Sequence, residues 1–255
     1  MNSDEMSTRR IAKRGVDPQD DRWFSKEAVL KLQKAQEEVE WLLNRGYKIN
    51  GIMDLVGGSY QFSARQRQAL KRSTSTKDDY GKRKKRLLPY SSAKDGTIYI
   101  DGFNLIITLE VALSGGVLIL GNDGVVRDIA GLQGSYRIID KTDKALELIG
   151  KSFGELKVHH AKFFLDAPVS NSGRLREKIL KHSLNWNFST EVELVPNADP
   201  ILWELERTVT GDSVILDNCP SWFNMSRKII EDYIEAANLV DLSGENKNQV
   251  RYSQN

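Results

Sequence analysis

From Thr97 onward the chain changes period. Short β-type runs begin to alternate with helical ones, and this limits the fold more than any other feature. Strands are expected at 97–100, 117–120, 158–165, 191–195 and 207–210, and helices at 105–114, 141–153, 174–182, 200–206 and 227–237. Such alternation argues for an α/β sandwich around a mainly parallel sheet. Residues 116–128 have the pattern of a hairpin, with Asn122-Asp123-Gly124 as its turn. The end of the chain, 243–255, is polar and reads as a disordered tail.

Before the switch the pattern is helical and basic. Residues 1–22 carry almost no large apolar side chains and read as a flexible tail. Ala28, Leu32, Ala35, Val39, Leu42 and Leu43 share one helical face, with Ser25 as N-cap and Gly46 as stop. A second short helix around Gly51 to Val56 is expected to break at Gly57-Gly58. Ser63 and Gln66 have the form of a capping box opening a helix that carries Arg65, Arg67, Leu70, Lys71 and Arg72. The organisation expected is therefore a small all-α basic domain over 23–75, a basic linker over 76–95 and an α/β domain over 96–242.

Charge follows the same division. Residues 1–94 hold 21 Lys/Arg against 12 Asp/Glu, and residues 95–242 hold 14 against 22, although the whole chain is only +2. A basic front joined to an acidic back points to a polyanion such as nucleic acid. Arg65, Arg67, Lys71 and Arg72 are the substrate-binding candidates, with a solvated linker as the plain alternative for the 65–86 run. Tyr60, Phe62, Tyr80 and Tyr90 are read as packing before base stacking, and Trp186, Trp203 and Trp222 as core or interface residues.

Several chemistries are excluded. No apolar run is long enough to span a bilayer, and the first residues lack a signal's apolar core, so a soluble cytoplasmic protein without a membrane partner is expected. One cysteine, Cys219, permits neither an internal disulfide nor a thiolate zinc site, and no His neighbours it to make a catalytic thiol. Three histidines leave a metal, if bound, to carboxylates. Neither a P-loop nor a nucleophile elbow occurs. The sequence leaves homo-oligomerisation open.

The aspartates are informative by position. Asp101 and Asp166 directly follow expected strands, Asp212 follows another, and Asp199 opens a helix after a fourth. In a parallel sheet these ends share one edge, where ligands bind. Four carboxylates brought together there would repel each other, and Mg²⁺ or Mn²⁺ would remove that penalty. Each aspartate has an alternative duty as a helix cap or turn residue. Asn104 could hold a carboxylate oxygen or cap the next helix. Ser170, Asn171, Ser172 and Arg174 could grip a phosphate or merely cap theirs. Arg127 and Asp128 are read as supporting the site from behind.

The string Ile98-Tyr-Ile-Asp-Gly-Phe-Asn104 resembles the opening of PIN-like nuclease domains, especially the NYN branch. Val209-Thr-Gly-Asp-Ser213 resembles their late S/T-G-D-S motif, and Ala198-Asp199 their helix-preceding aspartate. The segments LDAPVSNSGRLRE and TGDSVILD resemble an uncharacterised prokaryotic PIN-like family. There the domain follows a small helical domain of unknown function, which Leu55–Tyr60 and Ser63–Leu70 resemble. The resemblance covers 25–242. It implies a PIN-like three-layer sandwich and a Mg²⁺- or Mn²⁺-dependent hydrolase, a ribonuclease acting on RNA. Asp101, Asp199 and Asp212 correspond by motif to catalytic metal ligands, and Asp166 to a ligand by its place after a strand. One ion at Asp101 and Asp212 would activate water, and a second at Asp199 or Asp166 would stabilise the leaving oxygen. Asn104 and Ser170–Ser172 would orient phosphate oxygens. The rival reading is a catalytically inactive PIN-like protein that binds nucleic acid or regulates.

Overall fold

Local capping starts the helices where the sequence places them. The computed structural model describes residues 12–131 and 134–244. After α1 (Asp20–Trp23), Ser25 caps α2 (Lys26–Leu43) by accepting from the Ala28 amide. Helix α3 (Ile49–Ser59) runs through Gly57-Gly58 instead of breaking there. A Cβ on Gly57 would lie 2.9 Å from the Arg67 side chain, which donates to the Met53 and Phe62 carbonyls. Helix α4 (Ala64–Ser73) opens with the full Ser63–Gln66 capping box.

The expected linker is instead ordered structure. Thr76 caps α5 (Lys77–Arg86), whose acidic first turn and basic last turn both complement the helix dipole, and a 3₁₀ turn (Tyr90–Asp95) follows. Arg83 is buried: it pairs with Asp123 (2.5 Å) and Asp217 (2.7 Å), two partners that lie far along the chain. The expected flexible tail also needs correction over its described part. Arg14 pairs with buried Glu110, and Arg65 grips Asp20 (2.7 Å) and the Gly15 carbonyl (2.8 Å). The rest of that tail, residues 1–11, and the end of the chain from 245 lie outside the described residues.

The α/β region follows: β1 (Ile98–Asp101), α6 (Gly102–Leu113), β2 (Leu118–Leu120), β3 (Val126–Asp128), α7 (Asp140–Glu155), β4 (His160–Asp166), α8 (Ser172–Ser183), β5 (Ser189–Val195), α9 (Asp199–Trp203), β6 (Thr208–Val209), α10 (Ser213–Asn218), β7 (Trp222–Phe223), α11 (Met225–Tyr233) and β8 (Leu239–Asp241). Five strands pair in parallel in the order β5-β4-β1-β6-β7. Alternation along the strands divides the core. Ile98, Ile100, Phe163 and Leu165 face a cluster with α6, α7, α8 and α11, whereas Tyr99, Phe164 and Trp222 face another with α9 and α10. The result is a three-layer α/β sandwich.

A second sheet, β3-β2-β8, holds the expected hairpin, with Gly124 at φ +74 in its turn. The apolar faces of α2, α3 and α4 pack on this sheet. Leu32, Val39, Ile52 and Leu70 share a core with Val117, Ile119, Val240 and Leu242. Among the described residues, no helix is long and apolar enough to cross a membrane.

Candidate active site

The order of the main sheet creates a crevice. From β1 the chain builds outward through β4 to β5, then returns to place β6 and β7 on the other side of β1. The helix after β1 and the helix after β6 lie on opposite faces, so the ends of these two strands flank a topological switch point. Asp101 ends β1 and Asp212 follows β6.

Each carboxylate is aimed by its local backbone. Asp101 caps α6, its Oδ1 accepting from the Asn104 amide (3.2 Å) and its Oδ2 from the Thr210 hydroxyl (2.9 Å). Gly102 permits this approach: a Cβ there would lie 2.6 Å from Leu165 Cδ2 and 3.0 Å from the Phe164 carbonyl. Asp212 caps α10 through the Val214 amide (2.8 Å) and the Ile215 amide (3.4 Å). Asp166, at the end of β4, accepts from the Ala198 amide (2.8 Å) and so holds the turn that presents Asp199. Capping and clustering therefore coincide in these side chains.

Asp101, Asp166, Asp199 and Asp212 line one cavity of about 150 Å³, together with Arg72, Phe103, Asn104, Ile107, Asp128 and Gly131. Burial, opposed by hydrogen bonds from Thr210 and Asn104, pushes the Asp101 carboxyl up to about 7; Asp212 and Asp199 add repulsion. Asp199 is raised by burial and then by Asp212 and Asp166. The oxygen-only donor set suits a hard divalent cation. Among the described residues, however, no three acidic, His or Cys side chains form a closed group able to hold a metal.

The remaining candidates divide into those at the site and those engaged elsewhere. Asn104 lines the cavity, but its Oδ1 accepts from the Gly211 amide (2.7 Å) and ties the two strand ends together. Arg127 holds the same loop from behind, through the Gly211 carbonyl (2.7 Å) and Asp123 (2.6 Å). Buried Asp128 accepts from Thr108, and its carbonyl accepts from Arg72. Arg72 reaches the carboxylate cavity, and Lys71 lines the adjoining one of about 200 Å³ with Gln68, Asn104, Asp212 and Ser213.

Arg65 and Arg67 do not join them, because their guanidinium groups are used by Asp20, Gly15, Met53 and Phe62. The 170–174 turn is likewise self-contained. Ser170 and Asn171 bind the Tyr136 backbone, Ser172 donates to Ala167, and exposed Arg174 makes a 3.5 Å contact with Asn171. The aromatics are packed as expected: Tyr60 stacks on Phe62, and Tyr90 donates to the Asn224 carbonyl. Cys219 is buried and its thiol is pushed up to about 11, which suits no nucleophile. Thr210, which donates to Asp101, is a side chain at the crevice that the sequence alone does not single out. Its place in the T-G-D-S string, two residues before Asp212, was the available signal.

Comparison with known proteins gives the chain a lineage without an activity. A family described as a protein of unknown function (DUF434) matches residues 31–86, which contain most of α2 and all of α3 to α5. A second, described as a domain of unknown function (DUF5616), matches residues 90–228, more than half of the chain and all four aspartates. An uncharacterized protein of Methanocaldococcus jannaschii is 34% identical over 187 residues, covering 73% of this chain and 89% of its own. No solved structure gives a significant match. By the extent of the second match, the chain belongs to the DUF5616 family.

Proposed function

We infer that the protein is a divalent-metal-dependent nuclease, cleaving RNA at the crevice between β1 and β6. The observation that carries this reading is the convergence of Asp101, Asp166, Asp199 and Asp212 on one cavity, where Arg72 is the one cation among the described lining residues. The resemblance to PIN-like domains supports it, because the same aspartates carry the resemblance.

Asp101, Asp199 and Asp212 would hold Mg²⁺ or Mn²⁺, with Asp166 completing the set. The bound ion would supply Lewis acidity toward the phosphodiester and lower the pKa of a coordinated water. The chain's own groups do the positioning. Thr210 orients Asp101, Asn104 fixes the distance between the two strand ends, and Arg127 steadies Gly211-Asp212. That no group of three acidic, His or Cys side chains able to hold a metal is found among the described residues favours a second reading, an inactive nucleic-acid-binding protein.

The experiment is cleavage of single- and double-stranded RNA in Mn²⁺, with chelator and with Asp101→Asn as controls. Asn keeps the volume; its single carbonyl oxygen can still accept from the Asn104 amide while its NH₂ donates to the Thr210 hydroxyl, so the variant should fold. Cleavage is expected to fall below detection in both controls. Full cleavage by a folded Asp101→Asn protein would remove the carboxylate site from the chemistry.

A further inference from the structure

The sheet edge has a charge problem. Five carboxylates, the four candidates and Asp128, line the crevice, and residues 95–242 around it are net acidic. A phosphodiester approaching this edge meets repulsion on every side that the α/β region supplies. Arg127, the region's own cation lining the adjoining cavity among the described residues, is buried and paired with Asp123.

The helical segment brings the missing charge. Helix α4 contacts the second sheet through its Leu70 face, and this seating directs Gln68, Lys71 and Arg72 toward the crevice. The cavity they line and the carboxylate cavity share Arg72, Asn104, Asp128 and Asp212, so the two adjoin along one cleft edge. Arg72 is held in place by its 3.6 Å ion pair with Asp128 and by a hydrogen bond to the Asp128 carbonyl. Lys71 is exposed, and among the described residues its ammonium makes a long 3.4 Å contact with Asn50. Arg65 and Arg67, on the same helix, point into the protein. The helix is thus split between cations that build the fold and cations that face the cleft.

We propose that Lys71 and Arg72 form a phosphate clamp, which seats the backbone phosphate next to the one at the carboxylates. This rests on the nuclease reading for the identity of the reacting phosphate. It adds that the helical segment is a working wall of the substrate site. A nucleic-acid strand would then be recognised by two adjacent phosphates, one at each end of the cleft. Lys71, as a mobile point charge, contributes affinity, whereas Arg72, fixed by Asp128, sets the register of the strand. Both are positioning residues.

The test compares Lys71→Glu with Lys34→Glu, an equal charge change at an exposed site on α2, and with Arg72→Lys. Cleavage of a labelled oligouridylate of about ten nucleotides is measured beside hydrolysis of bis(p-nitrophenyl) phosphate, a diester without a neighbouring phosphate. Lys71→Glu should raise KM for the strand about tenfold, as expected for a lost charge-assisted contact, and exceed its effect on the small diester. The dependence of binding on salt should also weaken, by about 0.7 in the log–log slope. Arg72→Lys should lower kcat on the strand more than it raises KM. If Lys71→Glu matches Lys34→Glu on the strand, the clamp is wrong while the nuclease reading stands. If the wild type cleaves neither substrate, the nuclease reading fails. Fluorescence anisotropy of the same oligouridylate then still decides the clamp, since Lys71→Glu must lose binding that Lys34→Glu keeps.

Discussion

Two groups of buried or half-buried carboxylates lie on either side of the Gly211 loop, and they are built in opposite ways. Asp123 sits between Arg83 and Arg127, and these guanidiniums outweigh its desolvation and hold its carboxyl below the usual range. Asp101 sits beside Asp199 and Asp212 with no ion-pair partner among the described residues, and its carboxyl is pushed up to about 7. The first group is complete in itself and locks α5 and the hairpin to α10. The second stays electrostatically incomplete unless a cation or a proton enters. The caps made by Asp101 and Asp212 account for their places but not for the repulsion among the carboxylates, and that repulsion is the reason to propose a function for the second arrangement.

The comparison breaks first at Arg83. Arg83→Ala leaves Asp123 buried with half its partners and frees Asp217, and loss of one member of a buried pair costs about 3–5 kcal/mol. Urea unfolding should show this loss near the lower end, because Arg127 remains. A loss below about 1 kcal/mol would mean that α5 is the loose linker its sequence suggests.

That linker expectation shows where the sequence is readable and where it is not. Asp101 and Asp212 are legible because an aspartate after a β-type run is a local pattern, and Ser63–Gln66 is legible because a capping box spans four residues. Arg83 sits within the run Lys82-Arg-Lys-Lys-Arg86, and its neighbours Lys82, Lys84 and Lys85 are exposed. Nothing in that run marks the one buried arginine, since Asp123 and Asp217 come from other parts of the chain. Strands β6 and β7 have two residues each, too few for a period to register. Helix α3 keeps its glycines because Arg67 covers one of them, which is again a contact across elements.

The two groups should also respond to pH with opposite signs. Asp101 has a folded pKa above its unfolded value of roughly 3.9. Its contribution is therefore fully present below about 4 and is lost as pH rises through about 7, for a fall of roughly 2–4 kcal/mol. Asp199, also raised, adds in the same direction. Asp123 is lowered, so its contribution is present above the unfolded pKa and lost only as pH falls below that range. Thermal unfolding across this span should show the neutral-pH decline in the wild type and a shallower one in Asp101→Asn. Mn²⁺ at about a hundred times its Kd should restore about 2.7 kcal/mol at neutral pH in the wild type alone. An equal slope in both proteins would place the titrating group elsewhere.

The smallest expected effect isolates a single hydrogen bond. Thr210 donates to Asp101 Oδ2 and accepts from the Asp212 amide at 3.0 Å, so one hydroxyl supports both ends of the crevice. That donation favours the charged carboxylate and partly offsets the burial that raises it. Thr210→Val keeps the shape and removes the hydroxyl, at a cost of about 1 kcal/mol in stability. The carboxyl should then rise further, moving the acid limb of the cleavage profile to higher pH while the plateau rate changes less. Thr210→Ser keeps the donor and should restore the limb. A limb that stays in place in the valine variant would mean that another group carries the proton, and the hydroxyl would then matter only for packing. If the limb moves, Asp101 must ionise for cleavage to proceed, and the electrostatic incompleteness that distinguishes it from Asp123 becomes the working property of the site.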